Sequence, residues 1–335
     1  MTGALATLLA LELLLRLLPV STATLTGYYL DPEVLSYPPG HAWRTATGWD
    51  LRNAQTLRAN NWGFVADHDF VPDPEAVGLI GDSYVEASML AAEARPATQL
   101  ERLLRDRRPV YAFGSPGTAL LDHAQRVRLA AARLGLRDFV FLLEDSDARQ
   151  SLCGSGNVQS RCLDPDTLQP RVERLPPPSA LKRVLRHSAL AQYLGSQLKF
   201  RGGAFWDGLW TRRVPGERPA SAVPATPSPA QQARSRSVVD AVVSRFFADA
   251  GPYLTGRAVF LVDGDRHGRP AEGYRERDYL IERLRAHGAE VIDLETVYSE
   301  HARHSALSLD VGPYDRHLNG LGVELAMRSA AGRLR

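Results

Sequence analysis

Five short apolar runs, spaced by stretches with helical patterning, constrain this chain more than any other feature. The runs are Val77–Ile80, Pro109–Phe113, Phe139–Leu143, Ala258–Asp263 and Glu290–Leu294. Between the second and third, Leu120, Ala124, Val127, Ala131 and Leu134 recur at alternating spacings of four and three, which marks one face of a helix. Gly135 stands where a left-handed C-cap is expected. Leu100, Leu103 and Leu104 mark an earlier helix, Ser235–Ala250 a later one, and another ends at His287-Gly288. Strand, helix, strand at these lengths predicts a parallel sheet built with right-handed crossovers.

In such a sheet, ligands bind beyond the carboxyl ends of the strands. The residues there are therefore the ones to read for chemistry. The first run stops at Gly81-Asp82-Ser83, within AVGLIGDSYVE. Taken alone this is either an ordinary turn or a serine set at a strand end for nucleophilic work. The second run stops at Gly114-Ser115-Pro116-Gly117 and the third at Glu144-Asp145-Ser146-Asp147. Near the C-terminus, Asp315-Arg316-His317-Leu318-Asn319-Gly320 opens a terminal helix carrying Val323, Ala326 and Met327.

The remaining segments bear on location and partners. Ala4–Val20 is the most apolar stretch, of a length suited to a signal-peptide core or a slightly short membrane span. Glu12 and Arg16, four apart, can pair on one helix face. The competing reading is an amphipathic core helix; an uncleaved anchor with the remainder outside the cytoplasm is favoured. Residues 21–74 are polar with little periodicity and read as a stalk, with Asn60-Asn61-Trp62-Gly63-Phe64 as a tight turn. Cys153 and Cys162, the only cysteines, bracket a short polar loop. They form a loop-closing disulfide outside the cytoplasm, or stay as two thiols in a reducing compartment. From Asp164 to Gln232 the rhythm breaks, with a helical piece around Ala180–Leu198, the aromatics Phe205, Trp206 and Trp210, and a mobile Pro/Ala/Ser tract from Pro215 to Pro229. A net charge of +2 argues against a nucleic-acid partner, and only Lys182 and Lys199 among 40 basic residues are lysines. No GxGxxG follows a strand and there is no P-loop. His301 and His304 lie three apart without a completing ligand set, and His123 and His267 read as cap or loop residues, so no metal and no cofactor are expected.

Taken together, GDSYVE, AFGSPG, LEDSD and DRHLNGLG resemble, in order and spacing, the four blocks of the SGNH (GDSL-type) hydrolases, in particular anchored envelope members. The resemblance spans about residues 76–335. It implies a flavodoxin-like three-layer α/β/α sandwich. It further implies Ser83 as nucleophile, His317 as general base and Asp315 as the acid that orients it. Many members place that acid three residues before the histidine, here two. The oxyanion donors implied are the backbone N–H groups of Ser83 and Gly114 together with a third-block side chain. The third-block asparagine is replaced here by Ser146, and Ala112 stands where the second block often has an asparagine. Loss of one such donor typically costs about 10²–10³ in rate. A slow esterase, a rearranged oxyanion site and a non-catalytic protein are the three outcomes this leaves.

The expectation is therefore a serine esterase acting on acyl esters, O-acetyl groups of extracytoplasmic carbohydrate above all. The alternatives are an O-acetyltransferase variant and a degenerate polysaccharide-binding or scaffold protein. The organisation expected is an anchor over residues 1–22, an extension over 23–75 and the hydrolase-like domain over 76–335, with an insertion at about 164–232. The membrane, through the N-terminal helix, is the expected partner, and the periplasm the expected location.

Overall fold

A computed structural model describes residues 2–105, 107–157, 160–198, 227–266, 275–312 and 314–334. Phe205, Trp206, Trp210 and His267 lie outside the described residues, as does nearly all of the Pro/Ala/Ser tract.

The apolar runs form the five central strands β1 (Val77–Gly81), β2 (Val110–Gly114), β3 (Asp138–Leu143), β4 (Ala258–Val262) and β5 (Glu290–Asp293). Every pairing among them is parallel, and their spatial order is β2-β1-β3-β4-β5. That is the flavodoxin-like order, whose reversal point lies between β1 and β3. Strand alternation sends Phe139, Phe141 and Phe260 to one face and Val140, Leu142 and Leu261 to the other. The first face is covered by α4 (Leu120–Leu134), α5 (Pro229–Ala250) and α6 (Glu276–Ala286). The second is covered by α3 (Pro96–Leu103), α7 (Leu294–His304) and α8 (Gly320–Leu334). Helices on both faces explain why the strands read as continuous apolar runs. Gly135, at φ 76°, ends α4 in the left-handed conformation expected.

Three segments differ from the sequence reading. The first helix, α1 (Thr2–Leu17), has 16 residues, about 24 Å at 1.5 Å per residue, against a hydrocarbon core of about 30 Å. Among the described residues no helix is long and apolar enough to cross a membrane. The expectations of a membrane anchor and of a periplasmic location resting on it are therefore not upheld. Glu12 has a different use. Besides pairing with Arg16 at 2.8 Å, its carboxylate accepts hydrogen bonds from Ser188 Oγ, Ala189 N and Leu190 N at 2.8–3.0 Å. It thus caps the start of the Ala189–Ala191 helix, and these bonds, that from Leu190 first, hold its pKa at about 2.

Residues 21–74 are not an irregular stalk. They form two antiparallel hairpins, Gly27–Asp31 with Val34–Ser36, and Ala42–Thr47 with Arg52–Arg58. Tyr37, Trp43, Leu57, Ala59 and Val65 make a small core beneath the second. Asp315–Leu318 is a short strand paired with Asp310–Gly312 and not the head of a helix. The helix begins only at Gly320, where Asn319 Oδ1 accepts from Leu321 N and Gly322 N at 3.0 Å. Cys153 and Cys162 are joined in a disulfide, closing the loop that precedes the Arg161–Leu163/Pro170–Val172 hairpin.

Candidate active site

Ser83 is the first residue of a single helical turn, α2 (Ser83–Glu86), directly beyond β1. Asp82 caps that turn, its Oδ1 accepting from Tyr84 N at 2.8 Å. The chain reverses this sharply because two glycines leave room. A Cβ on Gly81 would strike Val85, and one on Gly114 would strike the backbone of Val85 and Glu86. The serine turn therefore sits on the end of β2, at the site where the second block places its glycine.

His317, on the short Asp315–Leu318 strand, lies 234 residues further along the chain, with its Nε2 2.8 Å from Ser83 Oγ. Its Nδ1 lies 2.5 Å from Asp315 Oδ1, which also accepts from the His317 backbone N–H at 2.9 Å. A carboxylate on Nδ1 selects the tautomer whose Nε2 lone pair faces the serine hydroxyl. Both side chains are partly open to solvent, at 28% for His317 and 11% for Asp315. The residues carried over as nucleophile, base and acid thus form one hydrogen-bonded line.

Ser146 is placed differently. Its hydroxyl accepts from Gln150 Nε2 at 2.7 Å, and Glu144 is the third-block residue that lines the cleft beside His317. The Asp82 carboxyl shares a hydrogen bond with Glu144, and burial, then the charges of Glu144 and Asp147, push its pKa well up. Asp147 is pushed up for the same reasons, burial first and Glu144 second. One carboxyl of such a cluster holds a proton because adjacent charges in a dry site cannot all ionise. The floor beneath Ser83 is therefore an acidic cluster.

Its counter-charge is Arg126, fully buried in the middle of α4. The guanidinium donates to Gly81 O, to Phe113 O at 3.0 Å and to Thr118 Oγ1 at 2.9 Å, tying together the carboxyl ends of β1 and β2. Burial pulls its pKa down to about 10, against the opposing pull of Asp122, Asp82, Glu86 and Asp147. Glu86 is buried against Tyr37, whose hydroxyl donates to it at 2.6 Å, and burial raises its pKa to about 7. His123 is fully buried nearby on α4 and is kept neutral by that burial.

On the other side, Arg266 joins the loop after β4 to the Asp310–Gly312/Asp315–Leu318 strand pair that carries His317. It donates to Tyr84 OH at 2.8 Å, to Asp310 Oδ1 at 2.7 Å, to the carbonyl of Arg316 and to Asp263. The Tyr84 ring in turn lies 4.8 Å from the His317 ring, centroid to centroid. Asp263 is raised by burial despite Arg266 beside it. The sequence reading gives no role to Arg126, Glu86 or Arg266, and none to Glu144 beyond its place in the third block. For Arg126 a signal existed: Asp122 and Arg126 stand four apart on a helix whose apolar stripe is otherwise the core face. His301 and His304 lie on α7 away from this site, their ring nitrogens turned to the carbonyls of Leu307 and Glu300.

No family model and no curated protein matches the sequence. Among solved structures, the chain is similar to LAE5, an α/β hydrolase enzyme from the metagenome of Lake Arreo, Spain. That match has 14% identity and a TM-score of 0.42, over 79% of this chain and 98% of that one. A member of the lipolytic protein G-D-S-L family from Veillonella parvula matches at 12% identity and a TM-score of 0.40, over 77% and 96%. Est24, a carbohydrate acetylesterase from Sinorhizobium meliloti, matches at 12% identity and a TM-score of 0.36, over 78% and 98%. Likenesses this distant assign no substrate, so the chemistry has to be read from the chain's own residues.

Proposed function

We propose that this chain is a serine ester hydrolase of the SGNH type, and that Ser83, His317 and Asp315 carry the reaction. The single observation behind the proposal is the line Ser83 Oγ–His317 Nε2, 2.8 Å, and His317 Nδ1–Asp315 Oδ1, 2.5 Å, at the carboxyl end of a parallel strand. His317 Nε2 takes the Ser83 proton as Oγ attacks the ester carbonyl. The resulting imidazolium, facing Asp315, returns that proton to the leaving alcohol as the C–O bond breaks. Water, deprotonated by the same nitrogen, then releases the acid from Ser83. The backbone N–H groups of Ser83 and Gly114 are the oxyanion donors of this reading. The third donor of this reading is the Ser146 hydroxyl, whose oxygen accepts from Gln150 Nε2 and whose proton is left to donate.

The acyl group is proposed to be small, acetyl above all, carried on a carbohydrate alcohol. An open cleft of about 510 Å³ beside His317, lined by Thr47, Glu144 and Arg316 and by the apolar surfaces of Ala46, Trp49 and Leu198, supports an alcohol that has both hydroxyls and an apolar face, as a sugar has. A non-catalytic, binding-only role is the second reading. It is favoured by the carboxylate of Glu144 at a cleft wall where a developing oxyanion would want a donor. Hydrolysis of p-nitrophenyl acetate separates the two. Turnover by the full chain that is lost in Ser83→Ala supports the hydrolase; no turnover, or equal turnover in the variant, supports binding only.

A further inference from the structure

The rim of the cleft carries two large aromatic side chains left in water. Trp49, at the tip of the Ala42–Thr47/Arg52–Arg58 hairpin, is 65% exposed, and Tyr314, the residue before Asp315, is 52% exposed. Exposure of single apolar residues is ordinary. These two differ in being held. Trp49 Nε1 donates to Tyr314 OH at 3.0 Å, so the polar tip of each ring is satisfied by the other. The hairpin tip is anchored from the insertion as well. Tyr193 OH donates to Trp49 O at 2.8 Å, and Gln197 Nε2 donates to Gly48 O at 2.7 Å. Gly48 has φ +69°, and a Cβ on it would run into the Tyr314 ring, so only glycine lets that ring seat on the hairpin. Three distant stretches of chain thus meet to fix two rings beside the catalytic histidine.

We infer that Trp49 and Tyr314 form a stacking platform for a sugar ring of an oligosaccharide whose neighbouring O-acyl group enters the Ser83 cleft. A pyranose presents C–H groups on its faces and hydroxyls around its edge. The fixed rings offer the apolar contact, and Glu144 and Arg316, on the same cleft, offer partners for edge hydroxyls. A long acyl chain would instead need an enclosed apolar channel; this cleft is open, and its apolar lining at Ala46 and Leu198 is interrupted by Glu144 and Arg316. Pre-ordering matters because a surface that is already fixed loses little conformational freedom on binding. The inference rests on the hydrolase reading for its chemistry, while the platform binds glycan whether or not Ser83 reacts.

The test is calorimetric titration of the full chain carrying Ser83→Ala with O-acetylated oligosaccharides of five to seven sugars, in neutral, uronic-acid and N-acetylated series. Measurable binding to at least one series is expected. Adding Trp49→Ala weakens it at least tenfold, as large anchor side chains do, whereas Trp49→Phe, which keeps an aromatic face, stays within about threefold. Thermal melting of each variant verifies that it is folded. Equal affinity with and without the Trp49 ring, in folded protein, overturns the platform, as does failure to bind any series. If that failure accompanies covalent labelling of Ser83 by a fluorophosphonate in the unmutated chain, the glycan inference falls and the hydrolase stands. Ring-dependent glycan binding without Ser83 labelling upholds the platform and removes the hydrolase.

Discussion

Replacing Asp315 by asparagine isolates what its charge does. Asp315 Oδ1 accepts from two donors, His317 Nδ1 at 2.5 Å and the His317 backbone N–H at 2.9 Å. An asparagine can keep its carbonyl oxygen on both, and the backbone N–H rewards that orientation. Turning the amide nitrogen inward would put two donors face to face at the backbone and drive the imidazole proton onto Nε2. The geometry therefore predicts that Asp315→Asn retains the productive tautomer and loses only the negative charge beside the imidazolium. At about 4 Å between charge centres, two unit charges near a protein surface interact by about 4 kcal/mol. Partial exposure of both side chains screens this, leaving about 2–3 kcal/mol, the worth of a hydrogen bond to a charged group. The expected loss in kcat/KM is thus about 10²-fold. Asp315→Ala, which strips the acceptor of both bonds and frees the ring, is expected to lose at least tenfold more than that. The assay is initial-rate hydrolysis of p-nitrophenyl acetate across pH 6–9, on protein shown to melt cooperatively. A loss near 10⁴ in the asparagine variant, the size seen in serine proteases where the tautomer is wrong, would refute the argument that the His317 backbone N–H holds the carbonyl oxygen in place. A loss below about fivefold would remove Asp315 from the mechanism.

Three further outcomes follow from the same geometry. Ser146→Asn supplies a longer donor at the position where the SGNH hydrolases it resembles carry asparagine and, on the proposed mechanism, should raise esterase kcat about tenfold or more; an unchanged rate would mean that this position does not face the oxyanion. Arg266→Met leaves Asp263 buried without its ion-pair partner and should destabilise the fold by about 3–5 kcal/mol in urea unfolding. Adding Asp263→Asn should recover part of that loss, and no recovery would contradict the pairing argument. For Glu86, burial raises the folded-state pKa from 4.5 to about 7, so between those values the folded protein binds a proton the unfolded chain has released. Stability from this group is accordingly lost as pH rises through that window, by about 3 kcal/mol in all. Asp82 and Asp147, also raised by burial, act in the same sense, while buried His123 costs stability below its unfolded value of 6.5. Urea midpoints at pH 4.5 and 8 should show that Glu86→Gln flattens the pH dependence relative to the parent; an unaltered slope would contradict the assignment.

What was legible in the sequence was whatever is written in apolar periodicity and at strand ends. The five runs give the sheet because both of its faces are covered, and the residues carried over as Ser83, His317 and Asp315 fall within hydrogen-bonding reach of one another. Leucine content, by contrast, speaks to hydropathy and not to helix length, and so misled at Thr2–Leu17. The Arg52–Arg58 strand was hidden because it buries only Leu57 and shows no alternating apolar pattern. Asp315–Leu318 passed for a helix head because Asn319-Gly320 is a good start signal; the strand before it owes its form to pairing with Asp310–Gly312, which periodicity does not encode. Arg126 left only a faint local trace, the Asp122–Arg126 spacing of four, and Arg266 only its spacing of three from Asp263. Besides Thr118 eight residues away, the partners of Arg126 lie 13 and 45 residues away; besides Asp263 three away, those of Arg266 lie 44, 50 and 182 away, and only the closed fold brings these distant groups together.

The central claim is that Ser83 is activated by His317. Intact-protein mass spectrometry after treating the full chain with a fluorophosphonate tests it most directly, with Ser83→Ala and His317→Ala alongside. The account predicts one adduct, mapped to Ser83, absent in the first variant and slowed at least 10²-fold in the second. Folded protein that takes up no adduct, or labels equally fast without His317, would contradict it.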